Sequence, residues 1–221
     1  MTNQLAPRPS RDDEDSLGQS NPDSQAQPGP LEVNPWTTLE RRSIYENPWI
    51  EVVEDRVLRP DGAPGIYGVV RFKNQAVGVL PVEEDGSIWL VGQWRYTFDH
   101  PSWEIPEGGG PEGEDPRETA RRELAEETGL TATRIEPMPG LGTLHLSNSV
   151  TNEVGWIFRA TGLTPGPSAP EGTERLVARR VGFEEAMAML GRGEITDALS
   201  VCALLAEALW RQTQPHAQPT E

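Results

Sequence analysis

The stretch Gly108–Leu130, GGGPEGEDPRETARRELAEETGL, constrains this chain more than any other. A glycine run leads into a helix that crowds carboxylates where helical stability gains nothing from them. Asp115 suits an N-cap, Pro116 the first helical position, and Glu118 the far corner of a capping box. Gly129 suits a left-handed stop, so the helix spans Pro116–Thr128. At spacings of three and four, Glu123, Glu126 and Glu127 project from one side, where like charges repel by a few tenths of a kcal/mol per pair. Ala120 and Leu124 form the packing face. A hard divalent cation would turn the repulsion into coordination, because Mg²⁺ binds carboxylate oxygens and shares them with substrate phosphates. A solvated acidic face is the alternative for a glutamate-rich helix.

Spacing decides between them. The segment reads G-x5-E-x7-R-E-U-x-E-E-x-G-U, U being aliphatic, with Gly108, Glu114, Arg122, Glu123, Leu124, Glu126, Glu127, Gly129 and Leu130 at the fixed places. At about 7% usage for each of the seven fixed residue types, chance produces this on the order of once in 10⁸ starting points.

This pattern resembles the Nudix box, the signature of hydrolases that cut a pyrophosphate joining a nucleoside to another moiety. The resemblance implies a Mg²⁺ or Mn²⁺ site with Glu123, Glu126 and Glu127 as side-chain ligands and Glu107 offering its backbone carbonyl. It also makes Glu114 and Arg122 the partners that hold loop and helix together, while Gly108 permits close backbone approach. The cations would neutralise pyrophosphate oxygens and lower the pKa of an attacking water. Gln93–Tyr96 and Trp103–Gly108 resemble the sugar-nucleotide branch of the family, whose matching arginine and glutamate face the substrate. Arg95 is then a phosphate ligand, or otherwise a surface ion pair; Glu104 faces the substrate, or otherwise fixes the loop by a hydrogen bond.

Composition bounds the rest. A chain of 221 residues holds one full domain plus tails. Its formal charge of −16 argues against nucleic acid as a partner, since phosphate-backbone binding needs Lys and Arg. The single cysteine, Cys202, lies in an apolar run and reads as a buried thiol. A polar, acidic N-terminus and the lack of a long apolar run predict a cytoplasmic protein with no membrane partner.

Residues 1–35 carry few large apolar side chains and are expected to form a disordered tail, as are residues 212–221. Between them, residues 36–211 form the domain. Strands are expected at Thr38–Tyr45, Ile50–Leu58 and Ile66–Phe72, with a turn at Pro60–Gly62. Ala76–Val82 and Ser87–Trp94 read as a hairpin across Asp85–Gly86. Further strands follow at Thr131–Glu136, Gly142–Leu146, Val154–Ala160 and Arg175–Val181. His145, alone on an apolar strand, reads as structural. Thr164–Gly172 is a Pro/Gly-rich loop ending near Glu171 and Glu174, and the family resemblance offers these two as the general base, Glu174 first. Phe183, Ala186, Met187 and Leu190 mark a helix, and Thr196 caps a last one bearing Leu199, Cys202 and Leu205 or Leu209.

This order predicts an α+β chain, a Nudix-like α/β/α sandwich with a mixed sheet and an N-terminal antiparallel strand region at residues 36–72. The implied reaction is metal-dependent hydrolysis of nucleoside diphosphate sugars, including ADP-ribose and ADP- or GDP-hexoses, to a nucleoside monophosphate and a sugar phosphate. A non-catalytic Nudix module that senses nucleotides and regulates a partner is the alternative. Enzymes of this branch are typically homodimers built through N-terminal strands. Trp49 would pack at that interface, stack on a base, or lie in the core. ADP-ribose pyrophosphatases usually carry a proline about sixteen residues after the box, near Leu146 here. None stands there, and Pro139 comes too early, so a broad substrate range is expected.

Overall fold

The computed structural model describes residues 33–166 and 176–214. Most of the two expected tails, and the loop segment carrying Glu171 and Glu174, lie outside the described residues.

β-Branched residues and turn formers give Thr37–Glu46 (β1), Ile50–Leu58 (β2) and Pro64–Phe72 (β3), which pair antiparallel as a three-stranded sheet. Asn47 makes the first turn, its Oδ1 accepting the N–H groups of Trp49 and Ile50 at 2.8 Å each. Gly62, at φ 79°, closes the second. The Pro60–Gly62 turn and all three strands fall where the sequence predicts.

The expected hairpin does not form. Asn74–Pro81 (β4) and Ile88–Arg95 (β5) meet in a single bridge, Val82 to Ile88, and then diverge into different sheets. Each has found better partners. β4 lies between Glu107–Pro111 (β7) and Val154–Pro165 (β10); β5 lies between His100–Glu104 (β6) and Val177–Val181 (β11). The Asp85–Gly86 turn itself is real, with Gly86 at φ 82° and the Glu83 N–H on the Ser87 carbonyl at 2.9 Å. The central sheet is completed by Leu130–Pro137 (β8), antiparallel to β10, and by Leu144–His145 (β9), shorter than expected. Since β10 runs parallel to β4, the sheet is mixed.

Period-two alternation then builds the sandwich. Val77, Val79, Phe158 and Ala160 face Pro116–Thr128 (α1), packing on Ala120 and Leu124. Leu80 and Ile157 face the other way, toward Phe183–Gly191 (α2) and Ala198–Thr213 (α3), with Ala186, Met189, Leu199, Ala203 and Leu204. Asp197, not Thr196, caps α3, its Oδ2 accepting the Ser200 N–H at 2.8 Å. The helix also takes in Gln212 and Thr213, which composition assigns to the tail. A fully buried Glu207 fastens α3 to the sheet, accepting from Arg159 Nε and Arg211 Nε at 2.8 Å each. Cys202, expected to be buried, is half-buried and packs against the edge of this core.

Candidate active site

α1 begins and ends as its residues dictate. The Asp115 carboxylate accepts the Arg117 N–H at 2.9 Å, Pro116 opens the helix, and Gly129 at φ 69° closes it on the Ala125 carbonyl. The second half of the expected capping box is absent: Glu118 instead reaches Arg121 at 3.4 Å. Glu123 and Glu127 are buried at 7% and 6% exposure, turned toward β7, and Glu126 is half-buried beside them.

The glycine run is a strand rather than a loop, and contact with α1 explains its composition. A Cβ at Gly108 would lie 2.2 Å from the Glu123 carboxylate, and one at Gly110 would lie 2.5 Å from Thr119 Oγ1. No larger residue leaves room for those side chains. Arg122 ties helix to strand: Nη2 donates to the Gly109 carbonyl at 3.0 Å, and Nη1 to Glu123 Oε1 at 2.6 Å and Glu126 Oε2 at 3.1 Å. Burial opposes its charge, but these two carboxylates outweigh burial and raise its pKa. Glu114 accepts from Thr119 Oγ1 at 2.7 Å, while its carbonyl takes the Gln75 amide at 2.9 Å. Glu127 Oε2 accepts the Glu107 N–H at 2.9 Å.

The box carboxylates are thus neighbours, held by a guanidinium and an amide. Among the described residues no three His, Cys, Asp or Glu side chains are already drawn together as an ion would hold them. The residues nevertheless fit a hard divalent cation, because every side-chain donor is a carboxylate oxygen and the Gly108 backbone leaves the space Glu123 needs. Glu107, in the adjoining strand, adds a buried Oε2 with no hydrogen-bond partner.

Arg95, at the end of β5, joins this centre to a second cluster. Its Nε donates to Glu104 Oε1 at 2.8 Å, and its Nη2 to Glu104 Oε2 and, at 2.6 Å, to Glu107 Oε1. Gln93 Nε2 reaches Glu104 Oε2 at 3.1 Å. Glu104 is 1% exposed and both its oxygens accept hydrogen bonds, from Arg95 and Gln93. Burial weighs against the Arg95 charge, yet Glu104 and Glu107 more than compensate and its pKa is raised. Glu107 is pushed well above the ordinary carboxylate value, first by burial and then by the charges of Asp197 and Glu104, against the pull of Arg95. Burial and Asp197 also raise Glu153.

Asp197 is the member of this cluster that sequence reasoning missed. The sequence gives the cap of the last helix to Thr196 and no role to Asp197, and only the fold brings Asp197 to Arg95, Glu107 and Glu153. Trp49 is 65% exposed and so is not core; with Phe72 it walls the cleft containing Arg95, Glu107, Gly108 and Glu153. His145 is exposed on β9. Glu171 and Glu174 lie outside the described residues.

Comparison with known proteins adds to this geometry. The family model described as NUDIX domain matches residues 73–201, and that described as nucleoside diphosphate sugar hydrolase N-terminal domain matches residues 36–70. The chain is 30% identical to the ADP-ribose pyrophosphatase of Bacillus subtilis (strain 168), covering 79% of this chain and 96% of the relative. It is 29% identical to the methanol dehydrogenase activator of Bacillus methanolicus, over 76% of this chain and 89% of that protein. A solved structure, that of an ADP compounds hydrolase, superposes with a TM-score of 0.74 at 21% identity, covering 84% of this chain and 98% of that one, which is a likeness of fold.

Proposed function

This chain belongs to the NUDIX domain family and is a pyrophosphatase of that family, and from that premise we propose that it hydrolyses nucleoside diphosphate sugars in the cytoplasm. The products are a nucleoside monophosphate and a sugar phosphate. The observation that carries the reading is the seating of buried Glu123 against Gly108 and of buried Glu127 on the Glu107 N–H, two strand residues that line the cleft of Arg95 and Trp49. ADP-ribose is the first substrate to test, because that is what the Bacillus subtilis relative is named for.

Glu123, Glu126 and Glu127, with the Glu107 carbonyl, would hold Mg²⁺ or Mn²⁺. When bound, the cation supplies charge neutralisation on the pyrophosphate and acidifies the attacking water. Arg95 donates to a phosphate oxygen from the edge of its guanidinium that Glu104 does not cover. Arg122 keeps Glu123 and Glu126 at their places against β7. Glu174, or else Glu171, takes the proton from the water as its oxygen bonds to phosphorus and the sugar phosphate leaves. Trp49 offers a flat face to the base, a contact that discriminates poorly between bases and so favours breadth. The N-terminal sheet, β1–β3, would join two copies into a homodimer.

A second reading draws on the methanol dehydrogenase activator, a relative named for its effect on a partner enzyme. Here the box is whole, which favours catalysis. The test is kcat/KM across ADP-ribose, ADP-glucose, GDP-mannose, UDP-glucose and a nucleoside triphosphate with Mg²⁺. The proposal expects several sugar nucleotides within about a thousandfold of one another. A preference for the triphosphate removes the sugar-nucleotide assignment, and no turnover of any of them favours the regulatory reading.

A further inference from the structure

Arg95 lines two cavities. The first, about 430 Å³, is the one walled by Trp49 and Phe72 beside Glu107 and Gly108. The second, about 520 Å³, opens between β6 and the turn joining α2 to α3, with Phe98, His100, Ser102, Glu194, Thr196 and Asp197 on its walls. Its two sides are fastened together by the Trp103 N–H on the Glu194 carbonyl at 3.4 Å.

The walls differ in chemistry. The first cavity presents aromatic faces, on which a base stacks. The second presents three carboxylates, those of Glu104, Glu194 and Asp197, with two hydroxyls and an imidazole, a mixture of acceptors and donors that matches a row of sugar hydroxyls. Phe98, 81% exposed at the rim, adds an apolar face for the C–H side of such a ring. Arg95 joins the cavities, since it lines both, and Asp197 stands beside it in the second.

Resting on the pyrophosphatase reading above, we propose that the second cavity is the sugar subsite. The diphosphate spans Arg95, the base occupies the Trp49 side, and the sugar hydroxyls meet His100, Ser102, Thr196, Glu194 and Asp197. Sugar preference is then set here, because a site built to pair hydroxyls rejects analogues that leave its polar groups unpaired, whereas stacking does not.

The experiment compares ADP-ribose with the β-methyl ester of ADP, which keeps adenosine and diphosphate but has no terminal sugar. AMP release with Mg²⁺ is measured for the full chain and for Ser102→Phe, Ser102→Ala and His100→Ala. The wild type is expected to favour ADP-ribose by at least about tenfold in kcat/KM. Ser102→Phe fills the cavity and is expected to lower the ADP-ribose to methyl ester ratio by about tenfold, with a several-fold fall in each alanine variant. Should Ser102→Phe not fold, the alanine variants read out the same ratio. An unchanged ratio in the folded variants overturns the subsite while leaving the pyrophosphatase reading intact. A wild type that cleaves neither ester overturns that reading, and the subsite with it.

Discussion

The Glu104 carboxylate grips the Arg95 guanidinium side-on, Nε to Oε1 at 2.8 Å and Nη2 to Oε2, with the acid 1% exposed and the base on the cleft wall. Glu104 therefore acts through Arg95, holding it at the angle from which it can meet a phosphate. The two partners are not equivalent. Arg95→Ala strands a buried carboxylate and should cost about 3 kcal/mol or more. Glu104→Gln leaves an arginine that still has Glu107 and water, and should cost about 1 kcal/mol. Urea unfolding measures both. In turnover, Glu104→Gln should raise KM for ADP-ribose in the wild-type background and change nothing further in an Arg95→Ala background.

Glu107 makes stability depend on pH. Its folded pKa lies above the ordinary 4.5, so its contribution is fully present below about pH 4.5 and is lost as pH rises through the folded value. Glu107→Gln cannot ionise. Relative to wild type, this variant should become progressively more stable from pH 4 to pH 8 in metal-free urea titrations. A stability difference that stays flat over that range would show that Glu107 ionises as it does in the unfolded chain.

At Gly108 the strand has no room for a methyl group, since a Cβ would meet the Glu123 carboxylate at 2.2 Å. Gly108→Ala should displace Glu123, lower turnover at least about a hundredfold and weaken the dependence on Mg²⁺, with a smaller loss of stability, of about 1–3 kcal/mol. Metal titration of activity alongside thermal unfolding separates the two effects.

Glu174→Gln and Glu171→Gln separate the candidate bases. One of them, Glu174 by preference, should lower kcat by at least about tenfold while KM and Mg²⁺ affinity hold. Unchanged kcat in both variants would place the base on another residue.

Much of the fold is legible because its signals are local. Asp115, Pro116 and Gly129 bound α1 to the residue, and alternation finds β1–β3 and β10. The errors occur where long-range pairing overrides local pattern. Asp85–Gly86 forms its turn, but β4 pairs with β7 and β10, and nothing in Ala76–Val82 announces them. Gly108–Gly110 reads as loop because its glycines answer to Glu123 and Thr119 on a helix that follows, not to their own chain direction. The same holds in the site. The carboxylates of α1 announce themselves by spacing, whereas Asp197 stands next to Thr196, the residue read as the cap, and its place beside Glu107 depends on the packing of α3.

The most direct test of a cation held by α1 is AMP release from ADP-ribose by Glu127→Gln at saturating Mg²⁺. Glutamine keeps the shape and the acceptor that takes the Glu107 N–H at 2.9 Å, so the fold should persist while a charged ligand is lost. The expected result is an unchanged circular dichroism spectrum with a rate lower by about a hundredfold or more. Near-normal turnover by this variant would contradict it.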